Sequence, residues 1–311
     1  MPAPHRIFSF NPLIELCAVA VSLATIGSGV AMFSTGRPGQ NSDVAVVLES
    51  RGKPAIGVLS AGSKGWRVRS LIPVNRGIRS MAWMPARRKL AVTTAGGNLS
   101  NELRVIDVPH RAQRTLANAK RSDMAAFFGS VAWSPDGRRI AVTRSMGLYG
   151  ADINVLGASG GSLLQSFHVS ARYDSGLTWS HDGTALYYAE QRTERMRPKL
   201  RRLVIRTGKV LPIDGSGLDP SARSDGVLAL TTGNGIALLR DGHSRKVVGS
   251  RKGDRFPTWL RRGNLLLAER PAADCPRYGS PSVCSHVVVL RGSGGASRLL
   301  LKSLARNPAT R

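Results

Sequence analysis

The sequence predicts an all-β fold assembled from a repeated four-stranded unit. Three observations predict it: short apolar runs rich in β-branched residues, turn residues between these runs, and recurrence of the whole pattern along the chain. The 311 residues include 34 Gly and 17 Pro, and 42% are hydrophobic. Runs with the period of a helix are absent after residue 34, so the chain is expected to consist of many short strands joined by turns.

The clearest copy of the unit spans Ser130–Arg144, where two apolar runs flank the turn Ser-Pro-Asp-Gly. Pro135 fixes φ for a turn, the Asp136 side chain can accept a hydrogen bond from its own backbone, and Gly137 tolerates positive φ. These residue types in this order predict a β-hairpin. The Asp136 carboxylate, with Asp182 and Asp225 in later copies, is expected to serve the turn, and calcium binding is the alternative.

Weaker copies of the hairpin recur with a period of about 37 to 50 residues. The position of Trp133 is taken by Trp83, Trp179, Ala222 and Trp259. A common place before the turn predicts that these indoles wedge between units instead of stacking on a ligand. Each copy continues into a third apolar run and a tight turn, and the third runs are Leu103–Val108, Ile153–Leu156, Leu203–Ile205, Ile236–Leu239 and Val287–Leu290.

Four strands per unit at this period predict the blades of a β-propeller. Five full units and one partial unit, which comprises Val44–Leu48, Ile56–Leu59 and Trp66–Ile72, predict six blades over residues 43–303. A closed ring protects strand edges, so a terminal run is expected to complete the partial unit, with Arg298–Lys302 the candidate.

The hairpin Trp133–Gly137 and its near copy Trp179–Gly183 resemble the WD40-like repeat of the PD40 type found in TolB-type propellers. The resemblance covers the predicted ring and implies a module that binds a peptide of a partner protein at its channel and one face. The α/β domain that precedes the propeller in that family has no counterpart in the forty residues ahead of the first strand. The same propeller also fronts prolyl-oligopeptidase-type enzymes, whose hydrolase domain has no room in this chain.

The N-terminal segment carries His5 and Arg6 and then eighteen uncharged residues, Leu16–Phe33. The length favours a membrane anchor, and the small residues Gly29-Val30-Ala31 favour a signal peptide with a cleavage site. Both readings predict an extracytoplasmic protein, whether periplasmic, in the cell envelope or secreted. The domain prediction is a signal peptide or anchor over 1–34, a linker over 35–42, the propeller over 43–303 and a tail over 304–311.

The chain has 45 Lys and Arg against 19 Asp and Glu, a formal charge of +26. Such a charge favours acidic partners, anionic polymers or membrane surfaces. No block of cations is dense enough to predict a nucleic-acid arm. Solvated strand faces that carry Arg are the simpler explanation of the excess.

No catalytic or metal-binding pattern in the sequence has the context that its chemistry requires. Gly157–Gly161 matches Gly-x-Ser-x-Gly, but it joins a third apolar run to a fourth and lacks the strand-to-helix context of a nucleophile. The six histidines occupy unrelated positions in the units: His5, His110, His168, His181, His243 and His286. No catalytic residue, metal or cofactor is therefore predicted. Cys275 and Cys284 lack partners at zinc spacing and could form a disulfide in an oxidising compartment.

Loop length points to one face of the ring. Connections between first and second strands and between third and fourth strands are short, whereas those on the opposite face include Lys120–Gly129, Arg144–Ala151, Val169–Ser175, Gln191–Lys199 and Arg270–His286. Long loops on a rigid scaffold commonly carry binding function, and Arg with aromatic residues suits protein or anion contacts. The predicted binding residues are Arg121, Phe127, Phe128, Arg144, Tyr149, Arg172, Tyr173, Arg192, Arg195, Arg197, Arg277 and Tyr278.

These observations favour an exported or tethered propeller that binds a protein or peptide, acidic in keeping with the charge. The alternatives are a hydrolase or lyase with a site in the channel, which needs converging carboxylates or histidines, and a binder of an anionic polymer or membrane surface. Nothing in the sequence predicts the oligomeric state.

Overall fold

The computed structural model describes residues 34–35, 43–50, 53–62, 65–74, 76–85, 89–95, 101–119, 127–145, 150–170, 176–191, 196–259, 265–271, 285–291 and 298–301. These residues form strands in six four-stranded antiparallel sheets. The first sheet holds β1 (Ser34–Thr35), β2 (Asp43–Ser50), β3 (Lys53–Gly62) and β4 (Gly65–Pro73). The second holds β5 (Gly77–Trp83), β6 (Lys89–Ala95), β7 (Asn101–Asp107) and β8 (Ala112–Ala119). The third holds β9 (Phe128–Trp133), β10 (Arg139–Ser145), β11 (Ala151–Gly157) and β12 (Leu163–Val169).

The other three sheets follow the same order along the chain. The fourth holds β13 (Leu177–Trp179), β14 (Ala185–Glu190), β15 (Lys199–Val204) and β16 (Val210–Pro212). The fifth holds β17 (Leu218–Ala222), β18 (Leu228–Thr232), β19 (Gly235–Arg240) and β20 (His243–Lys246). The sixth holds β21 (Arg255–Trp259), β22 (Leu265–Pro271), β23 (Ser285–Arg291) and β24 (Arg298–Leu301).

The sheets are arranged as a β-propeller. The first strand of each sheet contacts the first strands of the sheets on either side, in the order β1, β5, β9, β13, β17, β21 and back to β1. The second, third and fourth strands follow outward by antiparallel pairing. The predicted all-β propeller with four-stranded units is therefore confirmed, and the predicted third runs all lie in or adjoin the third strands.

The six predicted blades correspond to five full blades and one reduced sheet. In the first sheet the inner strand β1 has two residues, and Ser34 and Thr35 pair with Ala45 and Val44. The run Arg298–Leu301 does not complete this sheet, because it pairs with Val287–Val289 as the outer strand of the sixth. Closure of the first sheet by that run, the candidate from the sequence, is therefore wrong. In the part of the chain that the structure describes, the strands of each sheet are consecutive in sequence.

The core lies between neighbouring sheets. Trp83, Trp133, Trp179 and Trp259 are all buried on inner strands. The Trp179 indole N–H donates to the Ala132 carbonyl of the preceding sheet at 3.2 Å, and Trp259 donates to Ser221 in the same way at 2.9 Å. Apolar clusters join consecutive sheets around these residues. The indoles therefore wedge between sheets, as predicted.

The outer strands β8 and β12 are mostly exposed, as expected for the rim of a propeller. Within the described ranges, no helix is long and apolar enough to cross a membrane. The predicted signal peptide or anchor, apart from Ser34, and the predicted tail lie outside the described residues.

Candidate functional site

The strand order divides the connections between two faces. The long-loop face carries the connections from second to third strands and the links from one sheet to the next, and the short-turn face carries the other two kinds. The long connections are concentrated in part of the ring, because β2–β3 and β18–β19 are joined by only two residues, 51–52 and 233–234. Short turns dominate the other face, although residues 36–42 between β1 and β2 are longer.

The short-turn face is held by a repeated hydrogen-bond network. The Ser134 hydroxyl donates to Asp136, and the Asp136 carboxylate accepts from the Arg138 amide at 3.0 Å. In the next sheet Ser180 donates to Asp182, which also accepts from the backbone and hydroxyl of Thr184 at 3.1 and 2.8 Å. The bond from Ser180 and those from Thr184 lower the pKa of Asp182 to about 2.

The third copy uses a different partner for the same purpose. Arg223 donates from Nε and Nη2 to the two oxygens of Asp225, each at 2.7 Å, and this contact lowers the pKa of Asp225 to about 2. The turn carboxylates therefore serve the hairpins, as predicted. Among the described residues, no three His, Cys, Asp or Glu side chains are grouped so that they could hold a metal ion.

The Gly-x-Ser-x-Gly segment is the turn between β11 and β12, as predicted. Gly161 has φ of +75°, and a Cβ there would lie 2.3 Å from the Leu116 carbonyl oxygen of the second sheet. The Ser159 carbonyl accepts a bond from Arg114 of that sheet at 2.6 Å. Glycine is thus required by close packing of two sheets, and the segment lacks the geometry of a nucleophile elbow.

Four of the predicted binding residues are described. Phe127 and Arg144 are half-buried, Arg197 is exposed, and Phe128 is buried in the cluster between the second and third sheets. Phe128 therefore supports the face from within the core and is not part of its surface. The remaining predicted residues lie outside the described ranges, as do both cysteines of the predicted disulfide: Arg121, Tyr149, Arg172, Tyr173, Arg192, Arg195, Arg277, Tyr278, Cys275 and Cys284.

A row of side chains crosses the third sheet at its long-loop end. Phe128 pairs with Arg144, Arg144 with Asp152, and Asp152 with His168 on successive strands. The His168 Nδ1 lies 3.1 Å from the Asp152 carboxylate, and the imidazole is largely exposed. The row places an oriented histidine and an arginine on the same edge, although their spacing in sequence gives no sign of it.

Carboxylates at the long-loop end of the second and fourth sheets are paired with arginines. Arg76 lies 2.9 Å from Glu102, and the Arg201 Nε lies 2.6 Å from Glu190. Both carboxylates are mostly buried, where an unpaired charge is costly. Part of the arginine excess on this face is therefore balanced within the protein.

The link between the fifth and sixth sheets contains a fully buried carboxylate. Asp254 accepts from Arg270 Nε and Nη2 at 2.7 and 2.8 Å, and from the Arg251 amide at 2.8 Å. The Ser250 hydroxyl also lies 3.2 Å away. Arg270 donates further to the Gly249 carbonyl at 2.9 Å. This network fixes the link immediately before the inner strand β21.

Two arginines near the long-loop end of inner strands stack on phenylalanines. The Arg79 guanidinium carbon lies 4.7 Å from the centre of the Phe127 ring, and that of Arg255 lies 5.3 Å from Phe256. Arg79 and Arg255 each stand four residues before the Trp of their unit. This shared offset is a sequence signal for the pair, whereas loop length points to residues outside the strands.

The same end of the inner strands contains unusual backbone conformations. Asp219 and Phe256 have φ of +51° and +53°, which is rare for residues other than glycine and costs energy. Gly176 occupies the matching position in the fourth sheet with φ of +81°, and a Cβ there would lie 2.4 Å from the Asp219 Cα. Near the long-loop end of these inner strands, the backbone of neighbouring sheets is therefore closely packed and two residues adopt costly conformations.

Similarity to known proteins is confined to the fold. No protein-family model and no curated protein sequence matches the chain. TolB from Acinetobacter baumannii is similar in structure, with a TM-score of 0.57 and 17% identity over 82% of this chain and 65% of that chain. An acylaminoacyl peptidase, solved with Z-Gly-Gly-Phe-chloromethyl ketone, gives 0.51 and 10% over 88% of this chain and 52% of its own.

The chain thus spans less than two thirds of both of these proteins. The β-propeller domain of the trilobed protease from Pyrococcus furiosus, described as having an open velcro topology, is matched over 98% of its length and 90% of this chain, with a TM-score of 0.51 and 11% identity. These likenesses agree with the consecutive sheets and the repeated hairpins. The chain is a β-propeller of the TolB-like fold.

Proposed function

We propose that this protein is an exported or membrane-tethered binding module without catalytic activity of its own, which engages a protein or peptide at the cell envelope. The contact surface is the long-loop face and the mouth of the channel. The observation that carries the proposal is the pair of arginine–phenylalanine stacks at that mouth, Arg79 with Phe127 and Arg255 with Phe256.

Stacked arginines suit a peptide ligand for a physical reason. Packing on an aromatic ring restricts the guanidinium, so that less conformational entropy is lost when it binds a carboxylate or a peptide carbonyl. Arginine and aromatic residues are also the residue types enriched in binding hot spots. The excess of positive charge favours a partner with an acidic segment.

The position of the stacks supports the same proposal. Arg79 and Arg255 lie on β5 and β21, the two inner strands that contact β1. We count the first sheet, β1–β4, as one blade of the ring. The strands that carry the two arginines then lie on either side of its inner strand, β1.

Opposite this face, the turns offer little for recognition. The carboxylates of Asp136, Asp182 and Asp225 are occupied by their own hairpins. This contrast between the two faces favours the long-loop face as the surface that binds the partner. A site in the channel that performs hydrolysis or elimination is the competing function, and the likeness to an acylaminoacyl peptidase concerns the fold alone.

The test is capture of a partner from envelope extract by the immobilised full chain. The double variant Arg79→Gln with Arg255→Gln should lose a partner that the wild type retains. The control is Arg138→Gln with Arg206→Gln, which removes the same charge from exposed positions on short turns and should retain it. Equal loss in both pairs, or a chain that captures nothing and cleaves peptide substrates, would refute the proposal.

A further inference from the structure

The outer strands of the six sheets differ in how well their free edges are protected. An edge strand presents unpaired backbone N–H and C=O groups that can pair with another chain, and charged side chains, proline or short length usually prevent this. β4, β8, β20 and β24 each contain Lys or Arg, and β16 has three residues, the last of them Pro212. β12 has seven residues and contains no Lys, Arg, Asp, Glu or Pro. Its edge is therefore the least protected among the described strands.

The side chains of β12 are exposed along most of the strand. Leu163 and Leu164 are 58% and 53% exposed, and Ser166 and His168 are exposed further along. All four lie on one ordered strand, because β12 pairs with β11 from Leu163 to Val169. Register shifts, which are another protective device, occur in β4, β8 and β24 as well as in β12, so they do not distinguish these edges.

The hydrogen bonds of the third sheet show which backbone groups of β12 point outward. The Gly157 amide donates to the Ser162 carbonyl at 2.8 Å at the start of the ladder between β11 and β12. Backbone groups alternate in direction along a strand, so those of residues 151, 153 and 155 also face β12. Their partners on β12 are Gln165, Phe167 and Val169. The N–H and C=O groups of Ser166 and His168 therefore point to the open edge.

We propose that β12 pairs with β12 of a second copy of this chain, antiparallel and about a two-fold axis that passes beside Ser166. Each Ser166 then lies opposite its own copy, and Leu164 lies opposite His168. Residues whose backbone groups point outward meet each other in this register, so the ladder of one third sheet continues into the other. No two like charges are opposed, because His168 meets a leucine. The product is a symmetric dimer in which one sheet extends through both copies.

The strand itself favours a second copy over a different partner. The apolar residues of β12 lie towards both of its ends and Ser166 lies between them, so the reversed strand presents matching kinds of side chain. A partner with an acidic segment, which the positive charge of the protein attracts, finds no Lys or Arg on β12 to bind. This edge is therefore separate from the surface proposed for such a partner.

The dimer is expected to be weak and sensitive to salt. A single strand pair buries less surface than stable interfaces, which bury about 1,200–2,000 Å². The turn between β15 and β16 packs against Phe167, since a Cβ at Gly208 would lie 3.4 Å from its ring, and this turn carries exposed Arg206 and Lys209. The two copies therefore approach with like charges near the shared edge, and added salt should strengthen their association. Salt should weaken capture of an acidic partner, which distinguishes the two interactions.

Disulfide cross-linking of the full chain in mild detergent tests the pairing. The native cysteines Cys17, Cys275 and Cys284 are first replaced by Ser. In Ser166→Cys the opposed Cα atoms lie about 5.5 Å apart, within the range that a disulfide spans, so mild oxidation should yield a covalent dimer. Ser162→Cys is the control. Ser162 is also exposed, but its two copies lie about 26 Å apart in this register and should give several-fold less dimer.

The same chemistry tests the register. A mixture of Leu164→Cys and His168→Cys chains should cross-link, because these residues are opposed. Either chain alone should remain largely monomeric, because its two cysteines lie about 13 Å apart. Cross-linking of either single variant as readily as the mixture overturns the proposed register, since it would place each residue opposite its own copy.

Sedimentation equilibrium of the full chain in density-matched detergent measures the association itself. Ser166→Lys places two like charges opposite each other and should reduce the dimer fraction several-fold. Thr115→Lys adds the same charge at an exposed position of β8 and should leave the dimer fraction unchanged. Circular dichroism verifies that both variants are folded.

Three results overturn the inference: a monomer at every concentration, a dimer that survives Ser166→Lys, or equal cross-linking at positions 162 and 166. A fourth is protection of β12 amides from hydrogen exchange only when the envelope partner is added, which would assign this edge to that partner. Loss of partner capture with the dimer intact would count against the proposed function alone.

Discussion

Asp254→Asn tests whether the buried network before β21 stabilises the sixth sheet. Four donors surround the carboxylate, two of them from Arg270. The asparagine amide has nearly the volume of the carboxylate, but it is uncharged. Its NH2 group must also face one of the donors that now bind the Asp254 carboxylate. Removing one partner of a buried pair leaves the other charge uncompensated, so the free energy of unfolding should fall by about 3–5 kcal/mol.

The matched control is Asp225→Asn. Asp225 also accepts two bonds from one arginine, but its side chain is 40% exposed, so water can replace the lost contact. A surface pair of this kind contributes about 0–1 kcal/mol. Both variants replace a carboxylate held by two bonds from one arginine. They differ in burial and in the further donors Ser250 and Arg251 at Asp254, so the comparison measures the effect of the buried network as a whole.

Urea unfolding of the full chain in mild detergent measures the difference, with tryptophan fluorescence and circular dichroism as probes. Hydrogen exchange of residues 255–259 then locates the loss, because the buried network adjoins this strand. The double variant Asp254→Asn with Arg270→Gln should recover part of the loss, since neither charge is then left alone. A loss at Asp254 within about 1 kcal/mol of the loss at Asp225 would refute the reasoning.

Three further predictions concern the wedges and the turns. Trp179→Phe should reduce the unfolding free energy by about 1 kcal/mol more than Trp133→Phe, because only the former indole N–H has a hydrogen-bond acceptor among the described residues; equal losses in urea unfolding would contradict this. Gly161→Ala should lower the unfolding free energy by about 1–3 kcal/mol more than Gly226→Ala: both glycines have positive φ, but an added Cβ overlaps the Leu116 carbonyl oxygen at position 161 and meets nothing within 4 Å at position 226. Similar urea midpoints would contradict this. The pKa of Asp182 is about 2 in the fold against an ordinary 3.8, so its contribution is present above pH 4 and is lost as the pH falls towards 2. Asp182→Asn should flatten that part of the acid unfolding curve, and an unchanged curve would contradict the assignment.

The repeated hairpins made most of the fold predictable. Trp133 and Trp179 with their turns set the strand register, because alternate residues must face the neighbouring sheet. β1 was not predictable as a strand. Ser34 and Thr35 follow an apolar run that reads as membrane-directed, and two residues carry no periodicity.

The candidate site was less predictable because its contacts are distant in sequence. Loop length predicts a face, whereas Arg79 and Arg255 lie within strands, where loop length carries no signal. The pairing of Glu190 with Arg201 depends on the register of two strands across a long connection. The positive φ of Phe256 runs against the preference of its residue type, so only the surrounding packing can account for it.

Because strands of each sheet are consecutive in the chain, a sheet can be gained or lost as a single stretch of sequence. Duplication or deletion of one such stretch would leave every remaining hydrogen-bond ladder intact and alter only the contacts between neighbours. A propeller closed by a shared sheet lacks this freedom, since its two ends must stay matched. The chain's architecture therefore permits relatives with different numbers of blades, and a copy with one sheet excised is expected to unfold from the new junction first.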